Sequence, residues 1–147
     1  MPHEVPQIPQ AMLDLIDRAE ITDLLSRLGV CFDEGRFDEL GDIFTEDVTG
    51  DLFGGPLLGR AHLEEKAREA LGRCERHQHV IANVIVDLRA DQAGVRANLI
   101  STHVAVAAEP TAFRQTGSAY EFDARRTPDG WRLSKAAMHS LWTKDQR

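Results

Sequence analysis

After residue 76 the hydrophobic period of the chain switches from that of helices to that of strands, and it never switches back. HQHVIANVIVDLRA, VRANLISTHVAVAA, RQTGSAYEFDARR and WRLSKAAMHSLWT are long runs rich in Val, Ile and aromatic residues. They are separated by ADQAG, by the break at EP and by TPDG, a turn of the Pro-Asp-Gly kind. Long strands joined by short turns imply an antiparallel meander. Four such strands at the end of one chain must cover a face with whatever precedes them.

What precedes them is helical. In MLDLIDRAEITDLLSRLGVCFD, Ile21, Leu24, Leu25, Leu28 and Phe32 recur at i, i+3, i+4, i+7 and i+11, one helical face. Asp14, Asp17 and Glu20 suit the positive end of this helix, and Gly35 supplies its stop. RFDELGDIF predicts a second, short helix, with Phe37, Leu40, Ile43 and Phe44 inward. VTGDLF reads as a short strand and GGPLLG as a loop that breaks it. RAHLEEKAREALGRC, full of good helix formers, is a third helix. Helices first and strands last argue an α+β fold, with a long helix laid into a curved antiparallel sheet. That arrangement makes a cone, open over a pocket at one end.

At 147 residues the chain suits one domain with a sizeable core. We divide it into a loose arm over residues 1–10 and a single domain over 11–147. The arm, MPHEVPQIPQ, has three prolines and no apolar stretch of the secretory type. A net charge of -7 gives no basic footprint for nucleic acid, and no apolar run reaches the length of a membrane span. Cys31 and Cys74 lie far apart with no CxxC spacing, so free thiols in the cytoplasm are expected.

The order of elements and four phrases along residues 13–142 resemble the SnoaL-like family of the nuclear transport factor 2-like superfamily, in its polyketide cyclase and scytalone dehydratase-like branch. The phrases are CFDEGRFDELGDIFTEDV, GPLLGRAHLEE, HQHVIANVIVDLRADQAGVRA and TGSAYEFDARRTPDGWRLS. The resemblance implies a cystatin-like α+β barrel, homodimeric through its outer sheet face. It implies a function among cyclases, dehydratases, isomerases, epoxide hydrolases and binding domains, and fold alone does not choose.

The choice rests on residues. By resemblance to the dehydratases, Asp33 faces the pocket from the end of the long helix and orients a histidine. His79, in HQHV, is then the general acid-base, a task suited to an imidazole titrating near neutrality. A carboxylate on one ring nitrogen would set its tautomer. Against this stand a solvated Asp33 and a half-buried structural His79. His77 shares strand parity with His79, which opens a metal reading with His103, although the acid expected downstream is missing. The plainer reading has His77 capping the wet end of the strand.

Phe32, Asn83, Asn98, His103, Tyr120 and Trp142 are the candidate substrate-binding residues. Asn83 keeps the parity of His79, and its alternatives are a cross-strand bond or a bulge. Arg96 and Asn98 stand where similar epoxide hydrolases carry Arg and Asp. Asn98 is no base, so that activity recedes and Arg96 reads as a surface residue. Core packing is the stronger reading for Tyr120 and Trp142, His139 could line the mouth or the interior of the cone, His103 has no assigned face, and Glu121 and Asp123 read as outward charges. The dehydratases carry a tyrosine just before the acid, whereas this chain has Phe32 there.

The expectation is therefore a cofactor-independent acid-base enzyme, a cyclase, dehydratase or isomerase. Its substrate is a small hydrophobic carbonyl or polyketide-like compound in an apolar pocket. Alternatives are a non-catalytic small-molecule-binding domain and a metal-dependent enzyme using His77, His79 and His103.

Overall fold

The computed structural model describes all 147 residues. Its elements are α1 (Gln10–Glu34), a 3₁₀ helix (Phe37–Asp42), β1 (Phe44–Leu52), β2 (Gly55–Leu58), α2 (Arg60–Leu71), β3 (Arg76–Arg89), β4 (Gln92–Val104), β5 (Phe113–Thr127) and β6 (Gly130–Gln146). The strands form one curled, unclosed sheet in the order β2-β1-β6-β5-β4-β3. The expected antiparallel meander is β3 to β6. Two features extend it. GPLL is a strand rather than a loop, paired antiparallel to β1. Pro56 is tolerated because β2 is the sheet edge, where a missing N–H breaks no inner ladder. β1 in turn runs parallel to β6.

The α1 face read from the sequence is the one that packs. Ile21, Leu24, Leu25, Leu28 and Phe32 are all buried. They lie against the concave sheet face, where Val95, Ala97 and Leu99 of β4 and Tyr120, Phe122 and Ala124 of β5 point inward. Gly29 faces β3, and a Cβ there would sit in ordinary contact with the carbonyl oxygen of His79 at 3.4 Å. α1 ends at Gly35, with φ 66°. The short helix is narrower than its pattern suggested, because Phe44 already belongs to β1.

The early acids of α1 do not serve the helix dipole. The helix starts at Gln10, and no acid lies in its first turn. Asp17 instead accepts hydrogen bonds from Arg126 Nη1 and Nη2 at 3.0 and 2.8 Å and from Trp131 Nε1 at 3.0 Å. These bonds tie α1 to the β5–β6 turn, and Arg126 also reaches Asp91. Arg126 holds the Asp17 carboxyl below the usual carboxylate range, and burial opposes it. Asp17→Ala should cost about 2 kcal/mol of stability, from lost charged hydrogen bonds. The wild-type contribution is complete above the unfolded carboxylate pKa of about 3.9 and fades only as pH falls through the lower native value. Urea denaturation of both proteins at neutral and acid pH checks both statements.

A bulge in β3 splits that strand in two. Register with β4 shifts between Ala82 and Ile85, and Asn83 there has φ 56°. Before the bulge, His77, His79 and Ile81 turn inward. After it, Val84, Val86 and Leu88 do.

Candidate active site

The bulge corrects one expectation immediately. Asn83 does not keep the parity of His79. It is exposed at the irregular step and does not line the site. Asn98 is also outward, since Ala97 and Leu99 take the inward positions of β4, and Arg96 lies on the outer face with it. Trp142 is 45% exposed. It stands opposite Gly117, and a Cβ on that glycine would meet its indole at 2.1 Å. Gly117 shares its parity with Ala119 and Glu121, so Trp142 lies on the convex face. His139 lies there too, 3.5 Å from Glu121. Glu121 and Asp123 are outward as expected.

Asp33, Phe32, His79 and His103 converge, whereas Tyr120 is a core residue. β3 is a sheet edge, so the backbone N–H of His79 has no strand to pair with. Asp33, one turn beyond Gly29 in α1, takes it. Asp33 Oδ1 accepts from the His79 backbone N–H at 2.8 Å and from His79 Nδ1 at 2.7 Å. Two bonds offset the unfavourable placement of a carboxylate at a helix C-terminus. They also hold Nδ1 as the protonated nitrogen and leave Nε2 bare. The His79 side chain is 5% exposed and that of Asp33 25%. Burial lowers the pKa of His79, the Asp33 hydrogen bond and charge oppose the shift, and His77 adds to it.

His77 is not a strand cap in water. Its Nε2 is 2.6 Å from the Leu71 carbonyl and its Nδ1 2.7 Å from Nδ1 of His103. The three imidazoles are mutually packed, with ring centroids 5.0 Å apart for His77–His103, 5.5 Å for His79–His103 and 6.5 Å for His77–His79. They are not a metal cage. No three His, Cys, Asp or Glu side chains are arranged to hold an ion. Four of their six ring nitrogens are engaged, with each other, with a carbonyl and with Asp33.

Phe32 covers the pair, its ring centroid 5.5 Å from that of His79. Phe53, in the β1–β2 turn at φ 54°, packs edge-on against Phe32 at 5.4 Å. Tyr120 is 2% exposed and beside Phe122, and burial raises its hydroxyl pKa. The sequence reading passed over two serines. Ser101 is buried directly across the β3–β4 ladder from His79. Ser118 is 3% exposed, and its hydroxyl has no hydrogen-bond partner. Alternation along β4 from Ala97 and Leu99 would have found Ser101. Ser118 is visible only once β5 is curled over the core.

A cleft of about 470 Å³ opens where α1, α2 and β3 meet, lined by Phe32, Asp33, Phe37, Leu71, Cys74 and His77 among others. Its lining mixes charge with carbon, so the expected purely apolar pocket is corrected. Asp33 and His77 line this cleft, with His79 next to both. A second cleft, beside Val30, Cys31, Arg36 and Ile43, contains none of the histidines.

The SnoaL-like domain model matches residues 14–137. An uncharacterized protein of Mycobacterium tuberculosis is 30% identical over 125 residues, 84% of each chain. Among solved structures, a candidate aromatic ring hydroxylase of Novosphingobium aromaticivorans superposes with a TM-score of 0.79 at 27% identity, covering 95% of this chain and 96% of that one. The hexachlorocyclohexane dehydrochlorinase LinA-type3 of Novosphingobium barchaimii gives 0.77 at 20% identity, covering 90% and 91%, a likeness of fold. The chain belongs to the SnoaL-like domain family, and its fold is nuclear transport factor 2-like.

Proposed function

We propose that this chain is a cofactor-independent acid-base enzyme, a cyclase, dehydratase or isomerase acting on a small, largely hydrophobic carbonyl compound. One observation carries the reading: Asp33 Oδ1 lies 2.7 Å from Nδ1 of His79. A carboxylate so placed fixes the imidazole tautomer and balances the imidazolium that forms when Nε2 takes a proton. His79 Nε2 removes a proton beside the carbonyl, and the C–H electron pair becomes the enolate. The same proton then returns to another atom of the substrate, or to a leaving oxygen.

The test is exchange in heavy water. Cyclic ketones incubated with the protein should gain deuterium beside the carbonyl, read by NMR. Burial lowers the His79 pKa, so the basic form survives into acid. The acid limb of the exchange rate should therefore lie below the ordinary imidazole value of about 6.5. A limb at or above that value rules out His79 as the base, and no exchange above the buffer rate argues for a binding domain instead.

We further propose that the protein is a cytoplasmic homodimer. Both cysteines are unpaired, and no helix is long and apolar enough to cross a membrane. On the convex face Val80, Ile100, Gly117 and Trp142 form one continuous cross-strand row over four strands. Its three large side chains are 43–50% exposed. An apolar row of this kind fits a second copy. Ile100→Lys should shift the sedimentation coefficient from dimer to monomer with the fold intact.

A further inference from the structure

We propose that His77 is a positioning residue that sets the tautomer of His103. The site then presents two bare imidazole nitrogens, Nε2 of His79 and Nε2 of His103, to a neutral substrate carrying a hydrogen-bond donor such as a hydroxyl. This deepens the acid-base reading above, and its substrate clause rests on that reading.

The argument is one of donors and acceptors. A carbonyl oxygen only accepts, so the Leu71 carbonyl, 2.6 Å from His77 Nε2, requires that nitrogen to carry hydrogen. In a neutral imidazole the other nitrogen is then bare. His77 Nδ1 therefore accepts across the 2.7 Å contact, and His103 Nδ1 donates. The remaining nitrogen of His103, Nε2, keeps its lone pair. The chain of constraint runs from a backbone oxygen at the end of α2 to a side chain near the end of β4, the strand beside the sheet edge. His79 reaches the same state independently, through Asp33.

Charge agrees with the assignment. Burial, reinforced by His79, His77 and Arg114, holds the pKa of His103 down to about 4, so the ring stays neutral. Arg114 itself is engaged with Asp145 at 2.9 and 3.2 Å. The only formal charge bonded to the imidazole cluster is then Asp33. Two lone pairs and a carboxylate repel an anionic ligand and ask for a donor. A hydroxyl on the substrate satisfies His103 Nε2 while His79 Nε2 works on the proton beside the carbonyl. The two rings, 5.5 Å apart by centroid, are near enough to address adjoining groups of one small molecule.

The test is spectroscopic. In ¹⁵N-labelled protein, long-range ¹H–¹⁵N correlation separates protonated from bare ring nitrogens. The expected pattern is His77 protonated at Nε2, and His79 and His103 protonated at Nδ1. His77→Phe should release His103 toward the Nε2–H form. His77→Gln should preserve the pattern, its amide donating to Leu71 and its oxygen accepting from His103. Phenol added to the wild type should move the Nε2 resonances of His79 and His103, whereas anisole, which has no donor, should not. His103 protonated at Nε2 in the wild type overturns the proposal, as does a His103 tautomer indifferent to His77→Phe. Equal responses to phenol and anisole, including none to either, overturn the substrate clause. The wild-type spectrum decides the tautomer even if His77→Phe does not fold. If the acid-base reading alone fails, deuterium exchange is absent while the nitrogen pattern is as expected.

Discussion

His79→Gln lowers turnover by about 10²–10⁴-fold and leaves the fold in place. The factor is that of a lost general acid-base group. Glutamine keeps polarity near the cleft but exchanges no proton at any useful pH. Asp33→Asn should fall by a similar factor for a different reason. The amide oxygen can keep both bonds to His79, but it carries no charge to balance the imidazolium that forms when Nε2 takes a proton. The pH profile separates the two variants. Asp33 opposes the burial-driven lowering of the His79 pKa. Without its charge the residual acid limb moves to still lower pH, whereas in His79→Gln the limb disappears. Turnover against pH, with circular dichroism on each protein, measures this. Full turnover in both variants would remove the mechanism.

Gly50→Ala should destabilise the protein severely, although it adds only one methyl group. Gly50 lies in β1 at φ 138°, and an added Cβ would lie 1.8 Å from the carbonyl oxygen of Ala136. That oxygen belongs to the backbone of the parallel partner β6, so no side chain can swing aside. The dihedral alone costs about 1–3 kcal/mol. Separating β1 from β6 adds to it, for a total of about 3 kcal/mol or more. Gly54→Ala is the control. Its φ is 78° but nothing lies within 4 Å of the built Cβ, so it should lose only about 1 kcal/mol. Urea midpoints of the two variants isolate the contact from the conformation. Equal losses would mean that the β1–β6 seam yields easily.

The sequence disclosed what depends on local period. The buried face of α1 and the four long strands were legible because side-chain alternation and helical spacing are properties of neighbours. The stop at Gly35 was legible from one residue. What stayed hidden depends on partners. Asp17 looked like a helix-start acid because nothing near it in the chain announces Arg126 and Trp131. GPLL looked like a loop because proline excludes inner strands, and edge position is a fact of the whole sheet. Asn98 and Trp142 were offered as pocket residues since parity cannot be assigned to a face before the sheet is assembled. The juxtaposition of Asp33 and His79 came through the resemblance. The partners of His77 came only from the fold, since Leu71 and His103 meet it from two different elements.

The irregular step at Asn83 works as a frameshift. Without it, the odd-numbered residues of β3 would face one way along its whole length, and the strand could satisfy either its polar beginning or its aliphatic end. With one extra residue the two stretches are phased separately. RHQH can be tuned for ligand while VIVDL goes on meeting the demands of the core, and neither revision disturbs the other. Removing that single residue would put the two stretches back in phase and force one of them to turn inside out.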